Sequence, residues 1–512
     1  MKTSGIFFLT ASALLLSLLP LLSGRAADTS SNNRISVNWG KVIGISKTTP
    51  TLQLGAFPPN RRGSKIHDQI FEALQGLGAD YVRYVPWLPF PRLGVAELEP
   101  PADGKTSWDF SLIDPMLVDL LHSTQGHSTI INFSTIPQWM FKTPKPVPYP
   151  DDPNEVTWSY EQGNELRDPS LKELSDYYAR LVSWYTQGGF TDEYGKRHES
   201  GHYFTLPYWE VLNEPNLEHF TTPEQYTARY DAIVSAVRKV APQTQFIGMA
   251  LAGPSPNLGP DFDTLPYFEY FLNHKNHHPD IPLDMISYHA YVQPAADEDL
   301  SAYPFTFFDQ ADAFLREVPY IEAVRKRFSP ETRTTIDELG SILPSDFGQG
   351  QPGYSFKPIA PSYWNLSGAL YAYIFAHLAR LGIDVVGESQ LLGYPGQFPS
   401  VSMLNWGTGQ PNARFWVLKL LHENFAPGDK LVETTAPSPT VYAQGFITPG
   451  GKRKVLILNK RDEPYILKMP GASEGEIEYV DQTTGQEPPA RTHSTGEQLT
   501  LKGFAVVVAT LR

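Results

Sequence analysis

The 512-residue chain has no cysteine. Disulfides, thiolate nucleophiles and cysteine-ligated zinc or haem are thereby excluded. A surplus of positive charge is also missing. Lysine and arginine number 41 against 55 aspartates and glutamates, a formal net charge of −14. An acidic chain repels phosphate backbones, so nucleic acid is not an expected partner. Long apolar runs are scarce as well. One stretch, Ile6–Leu22, follows Lys2 and precedes Ser23-Gly-Arg-Ala-Ala27. That order of charged, apolar and small-residue segments predicts a signal peptide over 1–26, cut after Ala26, and a secreted or periplasmic protein. Pro20 interrupts the run and no second one exists, so stable membrane insertion is not expected. No motif implies a metal or a cofactor.

What remains is an ordinary globular composition, 41% hydrophobic and 19% charged, with 10 Trp and 26 Tyr that suit sugar stacking. From about residue 50 to 425, short apolar runs alternate with amphipathic patterns of helical period. Strands are predicted near 51–56, 80–85, 128–133, 207–213, 244–250, 284–289, 333–338 and 384–389. Helices are predicted near 64–77, 111–123, 171–187, 223–240, 264–275, 309–328, 361–381 and 411–424. Eight such units predict a (β/α)8 TIM barrel over 27–425. The long links rich in Pro, Gly and aromatics mostly follow strands, which gathers them on one rim. Residues 188–206 are an exception on the opposite rim. Beyond 426 the pattern turns to short strands at regular spacing, an antiparallel β-sandwich domain over 426–512. Ile35-Ser-Val-Asn-Trp39 has two pairings open, the barrel or this domain.

Two acids stand at predicted strand ends. Glu214 closes Pro207-Tyr-Trp-Glu-Val-Leu-Asn-Glu-Pro, and Glu338 lies in Thr334-Thr-Ile-Asp-Glu-Leu-Gly340. Paired carboxylates break a glycosidic bond when one protonates the leaving oxygen and the other attacks or activates water. Strand alternation puts Ile336 and Glu338 on one face and Asp337 on the other. With Ile336 filling the barrel interior, Asp337 is expected between barrel and helices. Arg83, at the end of Asp80-Tyr-Val-Arg-Tyr-Val-Pro86, can hold a carboxylate as the anion. His289 and Tyr291 share a face at the end of Ile286-Ser-Tyr-His-Ala-Tyr291, within reach of a sugar or of Glu338. Trp87, Trp139, Trp364 and Trp406 lie on or near rim loops, with Trp139 and Trp406 taken as candidate sugar platforms.

Asn213-Glu214-Pro215 and Ile336-Asp-Glu-Leu-Gly340 resemble the paired signature of clan A retaining glycosidases. With the His-x-Tyr of the sixth strand and the appended β domain, the chain resembles glycoside hydrolase family 39 most closely, over roughly 35–512. That family includes β-xylosidases, α-L-iduronidases and some polysaccharide-cleaving enzymes. The resemblance implies Glu214 as acid/base, Glu338 as nucleophile and Asn213 as partner of the substrate 2-hydroxyl. Arg83, His289 and Tyr291 match supporting positions, while Asp337 stands where the family often has Thr. The implied function is an exported retaining glycosidase acting on poly- or oligosaccharides. A clan A β-glucanase or β-mannanase, and a non-catalytic carbohydrate-binding protein on a barrel scaffold, are the alternatives.

Overall fold

Eight short parallel strands close into a barrel in the computed structural model, which describes residues 33–145, 149–157, 163–254, 264–348, 357–394 and 398–512. The leader expected over 1–26 lies outside the described residues. Among them no helix is long and apolar enough to cross a membrane. In chain order the strands are β1 (Ser36–Ile45), β2 (Thr49–Gly55), β3 (Val82–Val85), β4 (Thr129–Ile131), β5 (Gly189–Thr191), β6 (Arg197–Glu199), β7 (Tyr208–Glu210), β8 (Gln245–Leu251), β9 (Met285–Val292), β10 (Arg333–Ser341) and β11 (Val385–Glu388). The barrel runs β10-β11-β2-β3-β4-β7-β8-β9, and each of the eight strands predicted from the sequence overlaps one of these.

Parallel barrel strands are covered on both faces, which is why runs such as Thr129-Ile-Ile and Tyr208-Trp-Glu are buried throughout. Outward residues, among them Leu54, Tyr84, Ile131, Trp209, Ile286 and Val386, join the helices in the main core. Inward residues divide by height. Ile130, Tyr208, Ile247, Met285 and Val385 form a small apolar cluster. Above it, toward the C-terminal strand ends, Gln53, Arg83, Glu210, Ser287 and Asp337 are buried and polar. The barrel therefore carries a charged layer directly beneath its mouth.

The helices follow local signals. Pro223–Val240 begins at Thr222 with a capping box closed by Gln225 and ends on Arg238 and Lys239, matched to the helix dipole. The helix predicted at 309–328 starts earlier, at Tyr303, with Pro304 in its first turn, where the missing N–H costs nothing. The link 188–206 holds the β5–β6 hairpin.

The C-terminal residues fold as an antiparallel β-sandwich domain. Its strands are β12 (Lys430–Thr435), β13 (Val441–Ile447), β14 (Arg453–Asn459), β15 (Tyr465–Lys468), β16 (Glu476–Val480), β17 (Ala490–His493), β18 (Gln498–Leu501) and β19 (Val506–Leu511). Seven strands run β1-β12-β13-β14-β19-β16-β17, and β15 pairs with β18. Of the two pairings open to Ile35–Trp39, the structure takes this sheet: Ser36 lies opposite Thr435 and Ile45 opposite Lys430.

Candidate active site

The mouth of the barrel is shaped by a bulge in β10. Thr335 lies opposite Ser287 and Glu338 opposite His289, so three steps on β10 match two on β9. The β11 side shows the same offset, Ile336 to Val386 and then Leu339 to Glu388. An extra residue interrupts the alternation of side chains. Asp337 and Glu338 consequently both turn inward. This corrects the expected outward Asp337, which lies 3.5 Å from Arg83 Nε and 3.5 Å from His289 Nε2. It also corrects Ile336, which packs in the main core with the helices instead of filling the barrel. Gly387 makes the close approach possible, since a Cβ there would meet the Asp337 backbone at 3.0 Å.

The end of β7 is shaped differently. Leu212 and Glu214 both hold positive φ, 64° and 39°. For residues with a Cβ this conformation is costly and persists only where the surroundings enforce it. Here the Glu214 N–H donates to the Ala250 carbonyl at 2.9 Å, and Pro215 opens the one-turn helix Pro215–Glu218. The chain thus turns sharply where Glu214 enters the pocket.

Arg83 joins the two strand ends. Its Nη1 donates to Glu338 Oε1 at 2.5 Å and to Gln53 Oε1 at 2.7 Å. Its Nη2 donates to Asn213 Oδ1 at 2.7 Å and its Nε to Glu210 Oε2 at 2.5 Å. Ser287 Oγ and Asn132 Nδ2 also donate to Glu210. Burial lifts the Glu210 carboxyl to about 7, with Arg83 pulling it down and Asp337 pushing it up. Burial would raise Asp337 too, but Arg83 and His289 hold it at about 2. Arg83→Ala is expected to destabilise the protein by about 3–5 kcal/mol, because it leaves buried carboxylates without their cation. Urea unfolding measures this; a loss below about 1 kcal/mol would mean the carboxyls simply take up protons.

His289 stands between the pair. Its Nδ1 donates to Glu214 Oε1 at 2.8 Å and lies 3.6 Å from Glu338 Oε2. Burial favours the neutral ring, yet Glu338, Asp337 and Glu214 outweigh it and raise His289 to about 10. The stability this contributes is complete below the ordinary 6.5 and is lost as pH rises through about 10. Melting curves of wild type and His289→Gln should therefore differ most near pH 6.5 and converge toward pH 10. A gap constant over that range would show that the ring is neutral. Tyr291 donates its hydroxyl to Glu338 Oε2 at 2.6 Å.

Glu214, His289 and Glu338 are the one group of described acidic and histidine residues with mutual ligand spacing, each offering an atom within 4.8 Å of the others. With His289 Nδ1 at 2.8 Å from Glu214 and 3.6 Å from Glu338, the cluster forms a charged hydrogen-bond network around two carboxylates.

The sequence-predicted residues are thus sorted by the fold. Asn213, Glu214, His289, Tyr291 and Glu338 line one pocket of about 190 Å3, with Arg83 bonded beneath it. Trp139 and Trp406 are not brought there. Trp139 donates its indole N–H to the Glu97 carbonyl at 2.9 Å and has Arg167 over its ring, beside a separate cavity of about 500 Å3. Trp406 lines another of about 670 Å3, together with Trp364 and Gln482. Of the four rim tryptophans, Trp87 is the one that lines this pocket. Sequence reasoning missed Gln53, Glu210 and Glu218. Glu210 had a signal, an acid inside a strand that must be buried on both faces. Glu218 had one too, lying one helical turn beyond Glu214. Its Oε1 accepts from Asn213 Nδ2 at 2.8 Å and from Trp87 Nε1. Burial and the adjacent Glu214 carboxylate lift Glu218 to about 8.

Comparison with known proteins adds a family. The model for glycosyl hydrolases family 39 matches residues 25–339, more than half of the chain and inclusive of both acids. No curated protein matches. Among solved structures, a glucosidase from Croceicoccus marinus is similar at 16% identity and TM-score 0.58, covering 94% of this chain and 99% of that one. The GH51 arabinofuranosidase from Xanthomonas axonopodis pv. citri is similar at 14% and 0.62, covering 94% and 100%. A GH30 endoxylanase from Clostridium papyrosolvens C71 is similar at 13% and 0.55, with the same coverage. At such identities the likeness is one of fold.

Proposed function

The chain belongs to glycosyl hydrolase family 39, and from that premise we propose an exported, retaining glycosidase that removes a terminal sugar by double displacement. The observation that carries the mechanism is the spacing of the acids. Oxygens of Glu214 and Glu338 lie within 4.8 Å of each other. Retaining sites hold their carboxyls about 5–5.5 Å apart, whereas inverting sites need about 6.5–9.5 Å to admit a water between them.

In this reading Glu338 attacks the anomeric carbon as Glu214 protonates the departing oxygen, giving a glycosyl ester on Glu338. Water, deprotonated by Glu214, then cleaves the ester. Arg83 and Tyr291 aim one Glu338 oxygen each and leave the carboxylate no freedom to rotate. His289 donates to Glu214 Oε1, which leaves Oε2 to carry the travelling proton. Asn213 lines the pocket with an amide fixed on one side by Arg83 and on the other by Glu218, placed for the substrate 2-hydroxyl.

The small pocket, under the 300–1,000 Å3 of sites for larger ligands, favours a single ring at its base over a threaded chain. Export follows from the charged, apolar and small-residue order of the first 26 residues. A panel of nitrophenyl glycosides identifies the sugar. The first product seen by NMR should keep the anomeric configuration of the substrate; an inverted first product would sink the double displacement.

A further inference from the structure

The pocket has two chemistries. Its polar lining comes from strand ends or the few residues beyond them, such as Glu338 and Tyr291. Its rim loops contribute apolar side chains. Trp87 stacks on Phe398 with centroids 5.9 Å apart and planes at 26°. Phe347 meets Phe398 edge-on at 5.5 Å and 70°. Phe347 is nonetheless 55% exposed. Leu217 lines the same pocket three residues after Glu214, on the one-turn helix that Glu214 opens. The leaving group departs past the residue that protonates it, so Leu217 marks the side on which it lies.

We propose that the leaving group of the physiological substrate is an apolar aglycone, aryl or alkyl, received by Trp87, Leu217, Phe347 and Phe398. The proposal rests on the retaining reading of Glu214 and Glu338. A second sugar could stack one face on these rings, but its hydroxyls would face hydrocarbon at Leu217, Phe347 and Phe398, which is unfavourable. The indole N–H of Trp87, a donor that a sugar could use, already serves Glu218. An alkyl or aryl group has no such need and gains from covering an exposed ring. The wall is continuous with the catalytic pocket, so its occupant is part of the substrate itself.

The test uses the full chain and the sugar that the nitrophenyl panel identifies. Along its n-alkyl glycosides from methyl to octyl, kcat/KM should rise by up to about fourfold per methylene, the equivalent of about 0.8 kcal/mol per buried CH2. The octyl glycoside should exceed a disaccharide of the same terminal sugar. In Phe347→Ala, whose ring is at the surface, the octyl-to-methyl ratio should fall at least tenfold. A flat series, a disaccharide that outperforms octyl, or an unchanged ratio in Phe347→Ala overturns the proposal while nitrophenyl activity keeps the parent reading standing. No cleavage of any nitrophenyl glycoside takes both down.

Discussion

Glu338→Gln is expected to lower turnover of every glycoside by about 10⁴-fold or more, as removal of a nucleophile does elsewhere. The amide matches the carboxylate in shape but cannot form the glycosyl ester, and it offers no charge to an oxocarbenium-like transition state. The fold should survive. Arg83 still has its other partners to hold it, Glu210 and Asn213, which lie at 2.5 Å and 2.7 Å in the wild type. The more sensitive neighbour is His289, because Glu338 is the strongest of the groups that keep its proton. The variant should therefore melt cooperatively, bind the substrate and fail to turn it over. Steady-state rates with a nitrophenyl glycoside, read beside a melting curve, decide the matter. A variant with more than about a tenth of the wild-type rate removes Glu338 from the nucleophile's role.

Glu214→Ala should produce a different loss, one that depends on the leaving group. General acid catalysis contributes about 10²–10⁴-fold, and that help matters least when the leaving group is already stable as an anion. Activated aryl glycosides should form the glycosyl ester at near wild-type rate and then stall, because no base remains to activate water. Alkyl glycosides should hardly react. Azide needs no base, so it should restore turnover and yield a glycosyl azide of the substrate's anomeric configuration. The geometry leaves space for it, since alanine opens the volume that His289 Nδ1 faces at 2.8 Å from the lost oxygen. Equal losses for aryl and alkyl glycosides, with no response to azide, would assign the proton transfer to another group, and Glu218 would be the first to examine.

The barrel was legible because its strands and helices differ in period. Strands predicted near 128–133 and 384–389 appear at Thr129–Ile131 and Val385–Glu388, and the helix predicted at 361–381 is found at Pro361–Leu381. Patterning of that kind reports on each element alone. It says nothing of how a rim loop folds back, which is why Trp139 and Trp406 looked like sugar platforms from their positions but line other cavities. Trp87 carried the same sequence signal and reaches the pocket because β3 ends two residues before it.

By itself the sequence determined the eight-unit alternation, the change to β structure near 426 and the presence of acids at two strand ends. These follow from local periodicity and from turn residues, which act over a few positions. Only the tertiary structure decided which acids meet. With Ile336 outward, strict alternation would send Asp337 inward and Glu338 outward, yet the β10 bulge, accommodated by Gly387 on the neighbouring strand, turns Glu338 inward as well, so that both acids reach Arg83. The pairing of β1 with β12 and the reach of Glu218 to Asn213 and Trp87 were settled the same way. A bulge, a strand partner and a hydrogen bond between loops are each chosen by what lies across the fold, information that no single stretch of the chain contains.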